Sequence, residues 1–512
     1  MSLTSASSTT PSMNGSKSKA SRQAIRRLGN NELYQLAKYC LDLYRGTSVS
    51  CRYAIPKELA SENARSKLTS TINTAIGRVI SRSPALQAGI ARADSRKPVW
   101  IPLSVNLNHH VTWKFVEDSQ DFERSLQDVI RSELDERFFD LDVRPGWRVV
   151  IMRDTNADLL NITFTWNHPH GDGTGGKIFH ELLLEHLNIL LSEEASGESS
   201  DGEVTLEMGD SFSKFPPATE KLAHLSVTPK FLLKQLWEDH KPTSIFKSPT
   251  QADWAPHPKS YSPTRFRVFT LDNDTLSKVL NACRQNETTL TALLNGLALV
   301  SMTKNLSKSK TSAFASVTAI DQRRFLPSNP PEYPWFDPQK TIGNYVSVMS
   351  HQFDRDLVAQ IRSALTSTSW DGILPDRVLK LLWSVSARVR HEILARLNQG
   401  LKNDVVGLMK FVPDWRAQMK SDLKKPRKPS WIVTNIGVLQ GKKAAGKWSI
   451  CRGQFTLSTE TPAAALLISI MTVRDGEMVV TCTWQDSVVE ASLVECVVAD
   501  LERWLRQIGT QA

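Results

Sequence analysis

The chain has 512 residues, too many for one ordinary hydrophobic core, so two packed lobes are expected. A hydrophobic share of 40% and a charged share of 23% describe a globular protein and exclude a disordered or fibrous one. The net charge of +10 suits an anionic ligand, but zinc-finger spacing, a Gly-Lys-Thr phosphate loop and an RNA-recognition aromatic pattern are all missing, so nucleic acid is not an expected partner.

Residues 1–27 are rich in Ser and Thr, carry Lys17, Lys19, Arg22, Arg26 and Arg27, and precede the first acidic residue, Glu32. They read as a disordered basic tail, with mitochondrial targeting or membrane-surface association as the alternative use. Folded sequence is expected from Leu28. Apolar residues at helical spacing predict a helix over Glu32–Tyr44, then a strand over Thr47–Ile55 and a helix over Ser66–Ser81. Arg148–Met152 and Leu160–Trp166 read as adjacent strands, and Gly175–Leu191 as a helix with Ile178, Phe179, Leu182, Leu183, Leu187 and Leu190 on its apolar face.

Ser192–Glu220 breaks the pattern with Ser, Glu, Gly and a Pro-Pro pair and reads as a loop or interlobe linker. A second lobe begins near Thr264 with the alternating strand Arg265–Leu271. Helices over Asp274–Cys283 and Thr289–Thr303, strands over Phe314–Ile320 and Tyr345–His351, and a largely helical Leu357–Leu397 follow. Trp431–Val438, Ile450–Leu457, Ala464–Met471 and Met478–Trp484 read as strands, and Ser492–Ile508 as a closing helix. The fold class is therefore α/β. The expected division is tail 1–27, N-terminal lobe 28–225, interlobe connection 226–262 and C-terminal lobe 263–512. Six scattered cysteines without a Cys-x-x-Cys pair suggest reduced thiols and a cytoplasmic protein. Neither a secretory signal nor a transmembrane span is expected.

Chemistry concentrates in Asn167-His168-Pro169-His170-Gly171-Asp172-Gly173, set between a strand and a helix. An alcohol attacking a thioester must lose a proton, and a neutral imidazole takes one near pH 7. His168 lies where the strand ends. Asp172, across a tight turn, can accept backbone N–H bonds or pair with an arginine without touching the imidazole. Gly173 permits a close approach that a β-carbon would block. His170 competes with His168 as the base, and His168 is preferred.

The pattern His168-x-x-x-Asp172-Gly173 resembles the active-site motif of the chloramphenicol acetyltransferase-like acyltransferases, and the chain is most similar to the fungal alcohol acetyltransferase family. Leu28-Gly29 with the helix after it, Arg82-Ser83-Pro84-Ala85-Leu86, Asp321-Gln322-Arg323-Arg324-Phe325-Leu326-Pro327, Gly343-Asn344-Tyr345-Val346-Ser347, Thr434-Asn435-Ile436-Gly437-Val438 and Trp484-Gln485 carry the likeness from about residue 28 to 508. Asn167 stands where many relatives have a first histidine, and the Asp-Phe-Gly-Trp-Gly motif of the plant branch is missing.

The resemblance implies two similar lobes, each a mixed sheet with helices, and a tunnel between them. It implies His168 as general base, Asp172 as a structural partner, acetyl-CoA or another acyl-CoA as cosubstrate, an alcohol as acceptor, no metal and no permanently bound cofactor. Supporting roles are expected for Thr434 or Asn435 as donors to an oxyanion, and for Arg323 or Arg324 as partner of Asp172 or Asp321. Lys424, Lys425, Arg427 and Lys428 are expected to meet the phosphates of CoA. A monomer is expected. Transfer from a phosphopantetheine carrier protein, or to an amine, is the alternative reading.

Overall fold

The computed structural model describes residues 23–117, 121–155, 157–195, 205–206, 209–241, 247–258, 260–366, 372–442 and 444–511. Helix α1 (Asn30–Cys40) is started by Glu32, whose carboxylate accepts the Gly29 N–H at 2.6 Å and binds Arg26 at 2.7 Å. Strand β1 (Gly46–Ala54) and helix α2 (Arg65–Arg82) follow, then β2 (Val111–Val116), α3 (Phe122–Asp135), β3 (Trp147–Asp154), β4 (Leu159–Asn167) and the long helix α4 (Gly173–Ala195). β3 and β4 are antiparallel neighbours with Ile151 opposite Ile162, as their sequence proximity predicts.

The second half contributes β5 (Thr264–Leu271), α5 (Asn273–Gln285), α6 (Leu290–Asn305), β6 (Phe314–Asp321), β7 (Val346–Phe353), α7 (Arg355–Thr366) and α8 (Asp376–Asn398). Strands β8 (Trp431–Leu439), β9 (Ser449–Leu457), β10 (Leu466–Val473) and β11 (Met478–Gln485) and helix α9 (Ala491–Gln511) complete the chain. Six of these strands form one mixed sheet in the order β5-β11-β10-β8-β6-β7. Its β8–β10 and β6–β8 pairs are parallel.

Residue parity divides this sheet into two faces. Trp431, Val433, Leu466, Ile468, Val480 and Cys482 belong to a core shared with α5, α6, α8 and α9. Ile436, Leu467 and Met471 face the other way and join the core of the first lobe, beside Val49, Phe164 and Phe179. Within that core the Phe164 and Phe179 rings stack at 4.1 Å and fasten α4 to β4.

A boundary at residue 263 does not separate the two sheets. The five-stranded sheet of the first lobe has the order β9-β1-β4-β3-β2, and β9 comes from the C-terminal half. β9 pairs antiparallel with β1, Leu457 opposite Thr47. The physical reason is pairing: β1 has a free edge beyond β4, and β9 supplies the missing hydrogen bonds. The expected lobe 263–512 therefore gives up one strand to its neighbour.

Two further expectations need correction, and a third gains detail. Most of the tail, residues 1–22, lies outside the described residues. Arg26 and Arg27 do not belong to it, since they pair as a short strand with Val99–Trp100, and Arg26 is held by Glu32 and the Pro216 carbonyl. The expected connection 226–262 contains the helix Pro229–His240, capped by the Thr228 hydroxyl and started by proline. The described part of Ser192–Glu220 is not a free loop either. Thr205–Leu206 pairs with Val105–Asn106, and Pro216 and Pro217 are buried with their carbonyls accepting from Arg26 and Tyr345. No helix among the described residues is long and apolar enough to cross a membrane.

Candidate active site

β4 ends at Asn167, whose register partner is Gly46. Pro169 then fixes a single tight helical turn, His168–His170, and the extended Gly171 leads into α4. Asp172 starts that helix, its Oδ1 accepting the Gly175 N–H at 2.8 Å. The indole of Trp166 donates to the Gly171 carbonyl at 2.8 Å and ties the turn back to its strand.

The other carboxylate oxygen of Asp172 reaches the second lobe. Oδ2 accepts from Arg323 Nη1 at 2.7 Å and from the Tyr345 N–H at 2.7 Å. Arg323 is 1% exposed; its Nη2 donates to the Gly343 carbonyl at 2.9 Å, and its Nη1 lies 3.3 Å from Asp321. Thr174 donates to the far oxygen of Asp321 at 3.0 Å. Arg323 thus meets both acids, while Arg324 is exposed. Asp172 makes no hydrogen bond to His168.

His168 is half-buried. The Asn344 amide donates to its main-chain carbonyl at 3.0 Å and lies 3.3 Å from ring Nδ1. The Asn344 oxygen accepts from Asn31 at 3.0 Å, which fixes the amide's orientation. Among the described residues nothing hydrogen-bonds Nε2. Burial, reinforced by the Lys38 ammonium, pushes the imidazole down to about 4. The ring is therefore neutral at pH 7. The Tyr44 ring lies 5.5 Å away, centre to centre.

His170 differs. It is 2% exposed, packs edge-on against Trp100 at 4.9 Å, and places Nε2 3.1 Å from the Ala88 carbonyl and 3.2 Å from the Gly146 N–H. That ring is part of a core.

Gly173 is one of the points where the two lobes touch. A β-carbon there would lie 2.5 Å from Ile436 Cγ2 and 2.8 Å from Phe455 Cζ. Gly173→Ala is expected to lower the melting temperature, by overpacking of about 1–3 kcal/mol, and to reduce turnover by moving β8 away from the His168 turn. Thermal melting and steady-state rates of the variant check this; wild-type values for both would refute the contact.

Of the two expected donors on β8, Asn435 is already engaged. Its Oδ1 accepts the Gly437 N–H at 2.9 Å across a bulge, and its Nδ2 donates to Thr291 at 3.2 Å on the helix-covered face. Thr434 shares the interlobe face with Ile436, and its hydroxyl has no partner among the described residues. Thr434 stands opposite Ser469, and Ser469 opposite Thr481. The Ser469 and Thr481 hydroxyls are buried without a partner, so a polar strip crosses three strands of this face.

The basic run behaves as four separate residues. Arg427 is 1% exposed and donates to the carbonyls of Ala255, Thr461 and Ala463. It is a buried tie, which corrects its expected place in a flexible phosphate-binding set: three carbonyls hold its guanidinium away from solvent. Lys425 pairs with Asp422 at 2.8 Å and Lys428 with Asp239 at 3.2 Å, while Lys424 is exposed. Residues missed in the sequence include Asn31, Lys38 and Tyr44. Asn344 and Tyr345 stood inside a quoted signature without an assigned role. No group of three or more His, Cys, Asp or Glu side chains suited to a metal occurs among the described residues.

Comparison with known proteins bears on the family and the fold. A probable alcohol acetyltransferase, FCK4, of Fusarium pseudograminearum (strain CS3096) is 27% identical over 95% of this chain and 96% of its own. Probable alcohol acetyltransferase crmB of Aspergillus fumigatus is 25% identical over 69% of this chain and 70% of its own. Among solved structures, the TRI3 trichothecene 15-O-acetyltransferase from Fusarium sporotrichioides superposes with a TM-score of 0.67, at 13% identity over 94% of both chains. The condensation domain of the Monacolin K polyketide synthase MokA gives 0.54 at 11% identity, over 95% of this chain and 96% of that one. These two show the two-lobed fold alone. The alcohol acetyltransferase family model matches residues 104–371, just over half of the sequence and including the turn from His168 to Gly173, and the chain accordingly belongs to the alcohol acetyltransferase family of acyltransferase enzymes.

Proposed function

We propose that the protein transfers an acyl group, acetyl in the first instance, from acyl-CoA to the hydroxyl of a small alcohol or natural product, with His168 as general base. The observation that carries this reading is the placement of the imidazole: its Nδ1 lies against the Asn344 amide, its Nε2 has no hydrogen-bonding partner among the described residues, and burial keeps the ring neutral. Nε2 takes the hydroxyl proton as the alcohol oxygen attacks the thioester carbonyl. The tetrahedral intermediate then collapses, and the imidazolium returns the proton to the departing thiolate. Thr434 is the candidate donor to the oxyanion, because Asn435 is engaged elsewhere. Asp172, bound to Arg323, holds the turn. Lys424, Lys425 and Lys428 are the remaining candidates for the CoA phosphates, and salt should weaken cosubstrate binding through them.

The test is mass spectrometry of products after the purified protein meets acetyl-CoA and a panel of alcohols and amines. An acetyl ester with release of free thiol is the expected result. No product from free acetyl-CoA, but product from an acylated phosphopantetheine carrier, would move the donor to the carrier.

The pH dependence follows from the lowered imidazole. Activity needs the neutral ring, so kcat/KM should hold as pH falls through 6 and decline only near 4. His110, His170 and His180 are likewise pushed down to about 4 by burial. The unfolded chain binds protons at these rings below about 6.5 while the folded chain does not. Their contribution to stability is therefore present above that pH and is lost as pH falls towards 4. Denaturation midpoints between pH 4 and 8, measured beside the rates, separate the two effects.

A further inference from the structure

Helix α1 buries a lysine beside the proposed base. Lys38 is 2% exposed, with its ammonium 2.6 Å from Glu460 Oε1. The ammonium lies 4.4 Å from the centre of the Tyr34 ring and 5.1 Å from that of Tyr44. Tyr44 in turn lies beside the His168 ring, and its hydroxyl is tied to Thr47 at 2.6 Å. One aromatic ring is thus neighbour to both a buried cation and the imidazole. Glu460 comes from the turn between β9 and β10, so the pair also joins α1 to the crossing segment.

A buried lysine–carboxylate pair is poor value as a stabilising device, because removing both ions from water offsets most of their attraction. Its field, however, is strong at short range in a dry surrounding. The groups facing His168 are Lys38 from α1, Tyr44 after it, Glu460 from the β9–β10 turn, and the neutral Asn344. The Asp172 carboxylate is neutralised by Arg323.

We propose that Lys38 and Glu460 form a positioning pair for acyl transfer, acting on the nearby His168 ring through charge rather than by touching substrate. The proposal rests on His168 being the base. Lys38 repels a proton arriving at the ring and Glu460 attracts one, with the lysine the stronger of the two. A solely structural pair would lose function in the same way whichever half is removed. A field acts with opposite signs.

The test is the acid limb of kcat/KM in Lys38→Met, Lys38→Arg and the double variant Lys38→Met/Glu460→Gln, with thermal melting to follow the fold. Lys38→Met should move the limb up by about one pH unit, into a range where the wild type is still fully active. Adding Glu460→Gln should bring it back towards the wild-type position, and Lys38→Arg should leave it in place. A limb that does not move in Lys38→Met, or that the second substitution fails to bring back, overturns the proposal. If His168→Ala keeps wild-type turnover, the base assignment itself fails, and that result is distinct from either of the others.

Discussion

His168→Ala should reduce kcat/KM for acyl transfer by about 100-fold or more while the protein stays folded. The size follows from removing the group that takes the hydroxyl proton, since an alcohol is a weak nucleophile until that proton leaves. Folding should survive because the ring is half-buried and only the Asn344 amide lies near its Nδ1. The stronger tie from Asn344 goes to the main-chain carbonyl, which alanine retains. His168→Gln is a useful companion, as it keeps a polar side chain without a proton acceptor suited to neutral pH. His170→Ala should behave in the opposite sense: that ring fills space against Trp100, so stability should fall with a smaller loss of turnover. Wild-type turnover in His168→Ala, or a larger catalytic loss in His170→Ala, would falsify the assignment of the base.

Arg323→Ala should destabilise the protein by about 3–5 kcal/mol, the range for removing one partner of a buried ion pair. The Asp172 carboxylate would stay buried with only the N–H groups of Gly175 and Tyr345 to solvate it. The Gly343 carbonyl would lose its guanidinium donor as well. Turnover should fall with stability, because Gly343 and Asn344 are the residues that close over the His168 turn. Arg323→Lys should rescue little. One ammonium cannot reproduce a fork that meets Asp172, Asp321 and Gly343 together. Denaturant midpoints of the two variants, with rates measured well below each midpoint, decide the matter. An unchanged midpoint in Arg323→Ala would show that the pair carries no such weight.

The regions where local chemistry and tertiary structure agree are easy to name. The strand at Leu159–Asn167 and the helix at Gly173–Ala195 follow from apolar periodicity, and the turn between them from Pro169, Gly171 and an Asp able to start a helix. The pairing of β3 with β4 follows from their closeness in the chain. The exchange of β9 into the first sheet does not follow from any local pattern, because a strand's partner depends on which edge is left open when everything else has packed. For the same reason the basic run from Lys424 to Lys428 reads as uniform in sequence and separates in space. Arg427 turns inward to three carbonyls while Lys424 stays in solvent.

By itself, the sequence pointed to the acyltransferase family, since the spacing of His168, Asp172 and Gly173 between a strand and a helix, with the signatures after it, can be read from residue types alone. It also offered Asp172 as a residue able to accept backbone N–H bonds, pair with an arginine, or both, because an aspartate just before a helix has acceptors on hand for either. Tertiary structure alone decided which arginine meets Asp172, which β8 side chains share the interlobe face, and that a lysine from the first helix lies buried near His168. Those contacts join residues as far apart as Lys38 and Glu460. They arise from the packing of one lobe on the other, and a side chain's field or hydrogen bond acts across space without regard to separation along the chain.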